Sequence, residues 1–199
     1  MMTKRVIIAT KNRGKAKEFQ HMFAPYGYEV QTLLDLPHIE DVEETGVTFE
    51  ENAVLKAETV ADVLGELVIA DDSGLAIDAL EGRPGVYSAR YAGEEKSDEA
   101  NMDKVLRELE PVEESDRGAQ FYCVLAIAGP DMETKTVTGT CEGMILRDKR
   151  GTNGFGYDPI FFVPSLQKTM AELTQDEKSQ ISHRDHALKK LGNIISDLV

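Results

Sequence analysis

The order of apolar and polar positions along the chain divides it into short apolar runs and stretches with helical spacing. Arg5 to Thr10 is one such run and predicts a buried strand. From Gly14 to Phe23 the period lengthens, and Ala16, Phe19 and Phe23 fall on one helical face. Thr48 and Glu51 have capping-box spacing ahead of a second helix whose stripe is Ala53, Ala57, Val60, Ala61 and Leu64. Leu67 to Ala70 reads as another buried strand, with Asp71, Asp72, Ser73 and Gly74 expected in the loop after it. Asp98 to Leu109 predicts a helix with Met102, Val105, Leu106 and Leu109 inward, followed by a polar loop through Arg117. Strands are then expected over Phe121 to Ala128, Lys135 to Glu142 and Asp158 to Val163. Last comes a helix capped by Ser182 that buries Ala187, Leu188, Leu191, Ile194, Ile195 and Leu198. The alternation of strands and helices, without repeats or a long linker, predicts an α/β fold in a single domain over residues 1–199.

Composition narrows this picture. The 199 residues are 41% hydrophobic and 29% charged, values ordinary for a globular chain with a real core. The apolar run at the start is too brief for a signal peptide, and no stretch reaches the roughly 20 apolar residues of a membrane span. The expectation is a cytoplasmic protein with no membrane partner. Cys123 and Cys141 lie in apolar or β-branched runs without metal-ligand spacing and read as buried thiols. A net charge of −14 argues against general binding to nucleic acid or anionic lipid. A polyanionic ligand would need a local group of cationic side chains and a divalent cation held by carboxylates.

Five segments carry such residues. Thr10-Lys11-Asn12-Arg13-Gly14-Lys15 joins a strand to a helix, so its amides form an anion seat, although a solvated polar turn fits the loop equally well by itself. It is not a P-loop, since Ala9 and Ala16 stand where the first glycine and the magnesium-holding hydroxyl would be. In Ile69-Ala-Asp-Asp-Ser-Gly74 adjacent carboxylates follow an apolar run. On a strand they would face opposite ways, one toward a ligand or metal and one bracing the loop; an Asx turn is the alternative. Val42-Glu43-Glu44-Thr45-Gly46 adds carboxylates before a helix on which Asn52 and Lys56 lie one above the other, either facing a phosphate chain or forming a charged surface. Gly154-Phe155-Gly156-Tyr157-Asp158-Pro159 offers an aromatic face between glycines, or a glycine-rich turn into a strand. Lys178, His183 and Arg184 crowd a basic helix start.

The motifs T-K-N-R-G-K, E-E-T-G-x-T-F-E-E-N-A-x-x-K-A, A-D-D-S-G-L, G-x-P-G-V-Y-S-A-R-Y-A-G, G-F-G-Y-D-P-I-F and E-K-S-x-I-S-H-R occur in one order over nearly the whole chain. This pattern resembles the inosine/xanthosine triphosphate pyrophosphatases of Ham type. The resemblance implies a long twisted mixed sheet flanked by helices in two lobes with an active cleft between them, a homodimer, and Mg²⁺ as cofactor. It implies hydrolysis of aberrant purine triphosphates to the monophosphate and pyrophosphate. Carried over by position, Asp72 is the base and a metal ligand, Glu43 the other ligand, and Ser73 a substrate contact. Thr10, Lys11, Asn12, Arg13, Gly14, Lys15 and Lys56 would hold the triphosphate. Phe155, Gly156, Tyr157, Asp158, Lys178, His183 and Arg184 would surround the base and sugar, with Arg184 and Asp158 reading the O6 acceptor and N1-H donor of a 6-oxopurine. The competing expectations are a phosphatase or kinase of another class and a nucleotide-binding module without turnover.

Overall fold

A computed structural model describes residues 4–195. The elements run β1 (Lys4–Ile8), α1 (Arg13–Phe23), β2 (Tyr28–Thr32), α2 (Phe49–Leu64), β3 (Val68–Ile77), α3 (Asp98–Glu108), β4 (Gly118–Ala128), β5 (Lys135–Ile145), β6 (Phe161–Val163), β7 (Lys168–Thr169), α4 (Gln175–Ile181) and α5 (His183–Ile195). Among the described residues the strands form one mixed, open sheet of seven in the order β2-β1-β3-β4-β5-β6-β7. β1 pairs in parallel with β2 and β3, while β6 pairs antiparallel with β5 and β7. The expected α/β class is therefore the observed one. Among the described residues no helix is long and apolar enough to cross a membrane.

The chain divides into two compact units. The first holds the described residues through Asp72, then Cys123–Gly139 and those from Asp185 onward; the second holds Ser73–Tyr122 and Thr140–Arg184. In the first unit strand alternation builds two cores on opposite sheet faces. Ile7, Val68, Ala70, Val124 and Ala126 meet Ala53, Ala57 and Val60 of α2. Val6, Ile8, Ile69, Cys123 and Leu125 meet Phe19 and Phe23 of α1 and Ala187 and Leu191 of α5. In the second unit Leu75, Ile77, Phe121, Ile145 and Phe161 pack with Met102, Val105 and Leu109. Arg117 is almost fully buried there and donates to the carbonyls of Leu109, Val112, Ile145 and Leu146, which satisfies its guanidinium without a carboxylate.

The helix starts follow from local chemistry. Asn12 accepts the Lys15 amide at the head of α1, and Thr48 and Glu51 close the expected capping box on α2. Three sequence expectations need correction. The first concerns Asp71–Gly74, which are not a loop but the middle of β3. Leu75 and Ile77 resume the inward alternation and extend the strand, while β1 stops at Ile8, opposite Ile69. The carboxylates thus lie just where β3 outruns its parallel neighbour. The second is the strand expected from Asp158, which begins only at Phe161 because Gly154 to Ile160 is taken up by turns. The third is the basic helix start, which is two helices: α4 carries Lys178, and α5 begins directly after Ser182. The Leu198 expected on α5 lies outside the described residues.

Candidate active site

Strand alternation on β3 sorts the adjacent carboxylates between two helices. Asp71 continues the face of Ile69, toward α1, and its Oδ1 lies 2.5 Å from Lys15 Nζ. Its Oδ2 accepts a hydrogen bond from Cys123 Sγ at 3.1 Å. Asp72 continues the face of Ala70, toward α2, and its Oδ1 is 3.4 Å from Lys56 Nζ. Both carboxylates are buried, at 1% and 5% exposure.

Lys56 joins this group together. Its ammonium also donates to Glu44 Oε1 at 2.6 Å and to the Asp71 carbonyl at 2.7 Å. Burial alone would lower its pKa, but the charges of Asp72 and Glu44 outweigh burial and raise it, so Lys56 remains a cation. For Asp72 burial is the largest influence and raises the pKa above the ordinary aspartate value. Lys56 and Lys15 pull it down without prevailing, and Glu44 and Asp71 push it further up. Asp72 is therefore a stronger base than a solvated carboxylate. Its Oδ2 is buried and has no hydrogen-bond partner among the described residues. An unsatisfied buried acceptor costs about 1–3 kcal/mol, more when charged, so this oxygen is suited to receive a cation or a water.

The loop before α1 sends its side chains different ways. Thr10 Oγ1 accepts the Asn12 amide, and Asn12 Oδ1 accepts that of Lys15, which shapes the turn. Lys11 pairs with Asp41 at 3.1 Å. Gly14 follows Arg13 in the first turn of α1, where a side chain is absent beside Lys15. Arg13 is exposed and lines a shallow groove with Lys17, Gln20, Thr32 and Asp35 rather than joining Lys15. Asn52 does not face outward with Lys56: it is buried, and its Oδ1 accepts the Gly46 amide, holding the acidic loop against α2. In that loop burial alternates, with Val42, Glu44 and Gly46 half-buried and Glu43 and Thr45 exposed. Glu44, not Glu43, meets Lys56.

The second unit gathers the remaining residues. Phe155 lies under two cations, Lys178 Nζ at 5.1 Å and Arg184 at 5.4 Å from its ring centre. Lys178 also pairs with Asp158 Oδ2 at 2.5 Å, and the same oxygen accepts the Phe155 amide at 3.0 Å. Gly154 has a φ of 75°, and a β-carbon there would run into the Asp158 carboxylate, so the loop closes on Asp158 only because residue 154 lacks one. Gly156 donates its amide to Asp98 Oδ2 at 2.8 Å, and Tyr157 is buried with its hydroxyl donating to the Ser88 carbonyl at 2.6 Å. Arg184 Nη2 donates to Ser73 Oγ at 2.7 Å, and the His183 ring stacks on Phe121 at 4.8 Å. Tyr157 thus anchors the loop, whereas Phe155, Lys178 and Arg184 form an aromatic and cationic face.

Several contributors were missed by sequence reasoning. Glu44 had a signal, since an apolar Val42 two positions earlier marks the inward parity of an extended segment. Asp98 and Cys123 had none, because what engages them is a tertiary neighbour. The Ser88 segment is held by Asn101, whose Nδ2 donates to the Ala89 carbonyl and whose Oδ1 accepts the Ala92 amide.

Comparison with known proteins shows the family. A model of the Ham1 family matches residues 6–194. A dITP/XTP pyrophosphatase of Bacillus licheniformis is 60% identical over 192 residues, covering 96% of this chain and 98% of that protein. Its counterpart in Bacillus subtilis is 57% identical over 195 residues, covering 98% of each. The structure of the Staphylococcus aureus Ham1 protein superposes with a TM-score of 0.86 at 52% identity, over 98% of this chain and all of that one.

Proposed function

Starting from the premise that the chain belongs to the Ham1 family, we infer that it hydrolyses noncanonical purine nucleoside triphosphates such as ITP, dITP and XTP to the monophosphate and pyrophosphate. The observation that carries this reading is the pairing of a buried carboxylate, Asp72, with Lys56, next to a second lysine, Lys15, on the opposite face of the same strand. Lys15, Lys56 and the loop from Thr10 to Gly14 hold the triphosphate, with Lys11 and Arg13 at the periphery. Phe155 stacks on the base, with Gly156 and Tyr157 shaping its loop. Arg184 donates to O6, and Lys178, Asp158 and His183 bound the base and sugar, with Ser73 oriented by Arg184.

In the reaction a water oxygen attacks the α-phosphorus, the bond to the bridging oxygen toward the β-phosphorus breaks, and the electron pair leaves with pyrophosphate. Asp72 orients the water and takes its proton, a role to which its raised pKa suits it. Lys15 and Lys56 face the charge that grows on the leaving group. Mg²⁺ fits this donor set: Asp72 Oδ2 is uncommitted, Glu43 is exposed and outside the Lys56 pairs, and oxygen donors suit a hard cation. Among the described residues no three His, Cys, Asp or Glu side chains form a preset metal cluster. Magnesium commonly keeps waters and binds through one or two carboxylates plus substrate phosphate. When bound, the ion would neutralise phosphate charge. We place the enzyme in the cytoplasm, where its buried free cysteines remain reduced, and as a homodimer.

The test is Asp72→Asn assayed with inosine triphosphate and magnesium. Hydrolysis should be abolished while nucleotide binding persists. Near-normal turnover would remove the base assignment, and orthophosphate as first product in the parent enzyme would replace this reading with a phosphatase. A panel of triphosphates that all bind without turnover would leave only a sensor.

A further inference from the structure

We propose that Asp71 is a positioning residue for catalysis, holding Lys15 toward the substrate phosphates, and that Cys123 on β4 sets the orientation of Asp71. The inference rests on the reading of Lys15 as a triphosphate ligand and deepens it. Asp71 presents no side-chain surface to solvent, and both of its oxygens are engaged. Oδ1 meets Lys15 Nζ at 2.5 Å, and Oδ2 accepts from Cys123 Sγ at 3.1 Å. Lys15 is fixed at both ends, since its amide is also bound by Asn12 Oδ1 at 3.0 Å. A lysine ammonium has three donors, so one bond to Asp71 leaves others for phosphate oxygens.

The geometry separates this role from that of Asp72. The two residues are neighbours in sequence but face opposite sides of β3, and only Asp72 has a buried oxygen without a hydrogen-bond partner. Asp71 therefore acts through Lys15 and not on the reacting atoms. A lysine left to sample its rotamers would have to be ordered by each substrate, whereas one already held loses less freedom on binding. Cys123 supplies the second restraint. Loss of the Cys123 bond removes one of the restraints that hold the Asp71 carboxylate against Lys15.

The experiment is a double-mutant cycle on kcat/KM for inosine triphosphate hydrolysis with magnesium, accompanied by thermal unfolding. Mutating an outer partner of a metal ligand typically costs about 10- to 100-fold, and the carboxylate behind a phosphate-holding lysine is expected on the same scale. Asp71→Asn should reduce kcat/KM within that range in the parent background and less than about twofold in a Lys15→Met background. Equal losses in both backgrounds would show a general structural effect and overturn the proposal, as would unchanged activity in Asp71→Asn. If Asp71→Asn fails to fold, Cys123 provides the second arm. Cys123→Ala should raise KM several-fold, and Cys123→Ser, which restores a donor, should reverse most of that rise. Identical KM values for those variants would overturn the proposal. Should Lys15→Met itself have normal kcat/KM, the triphosphate assignment of Lys15 fails, an outcome distinct from additivity in the cycle.

Discussion

Replacing Lys56 with methionine removes the cation that Asp72 and Glu44 share. Unit charges 3.4 Å apart, the separation of Lys56 and Asp72, attract by about 5 kcal/mol at an effective dielectric of about 20. Desolvation of both groups offsets part of this. Removing one member of a buried pair commonly costs about 3–5 kcal/mol, because the other charge is left without a partner. Here Asp72 can take up a proton and Glu44 retains 28% of its side-chain exposure, so the lower end, about 3 kcal/mol, is expected. In a protein of this size that corresponds to a fall in melting temperature of roughly 6–12 °C. The assay is urea unfolding of the magnesium-free parent and Lys56→Met proteins across a pH series. Lys56 is the largest charge that lowers the Asp72 pKa, so in the variant Asp72 protonates at higher pH. The deficit should shrink as pH falls, since the folded form with protonated Asp72 no longer contains an unpaired charge. A loss below about 1 kcal/mol, or one that does not vary with pH, would refute this account of Lys56.

Two further outcomes follow from local geometry. Gly154→Ala introduces a β-carbon at a left-handed φ of 75° and against the Asp158 carboxylate, whereas Gly156→Ala meets open space at φ 62°. Each should cost about 1–2 kcal/mol from the backbone. Only Gly154→Ala should also raise KM for inosine triphosphate, and equal KM values would contradict the loop closure on Asp158. Glu172 has a depressed pKa, first because it accepts the Thr169 amide and second because it pairs with Arg150. A depressed folded pKa contributes stability above the unfolded value that is lost as pH falls through the folded one. Glu172→Gln should therefore lower the melting temperature at neutral pH but not below the glutamate range; a deficit that persists in acid would contradict the assignment.

The sequence patterns that reported correctly were those governed by near neighbours. Thr48 with Glu51 marked α2, and the stripe through Ala53, Ala57 and Val60 found its core. Strand alternation alone sends Asp71 and Asp72 to opposite faces. The length of β3 was not legible, because Asp, Asp, Ser and Gly all favour turns and only the packing of Leu75 and Ile77 overrides that preference. Asn52, read as facing a phosphate chain or as part of a charged surface, is instead a brace, since its partner, the Gly46 amide, belongs to a loop whose path local spacing does not define. Glu43 and Glu44 could be told apart only by which one shares parity with Val42. The links from Asp71 to Cys123 and from Gly156 to Asp98 span residues far apart in the chain and appear only once the fold brings them together.

The central claim is that water is directed at the α-phosphorus of the triphosphate. Hydrolysis of inosine triphosphate in water enriched in heavy oxygen, followed by mass spectrometry of both products, tests it most directly. The label should appear in the phosphate of inosine monophosphate and be absent from pyrophosphate; label in pyrophosphate, or in released orthophosphate, would contradict the account.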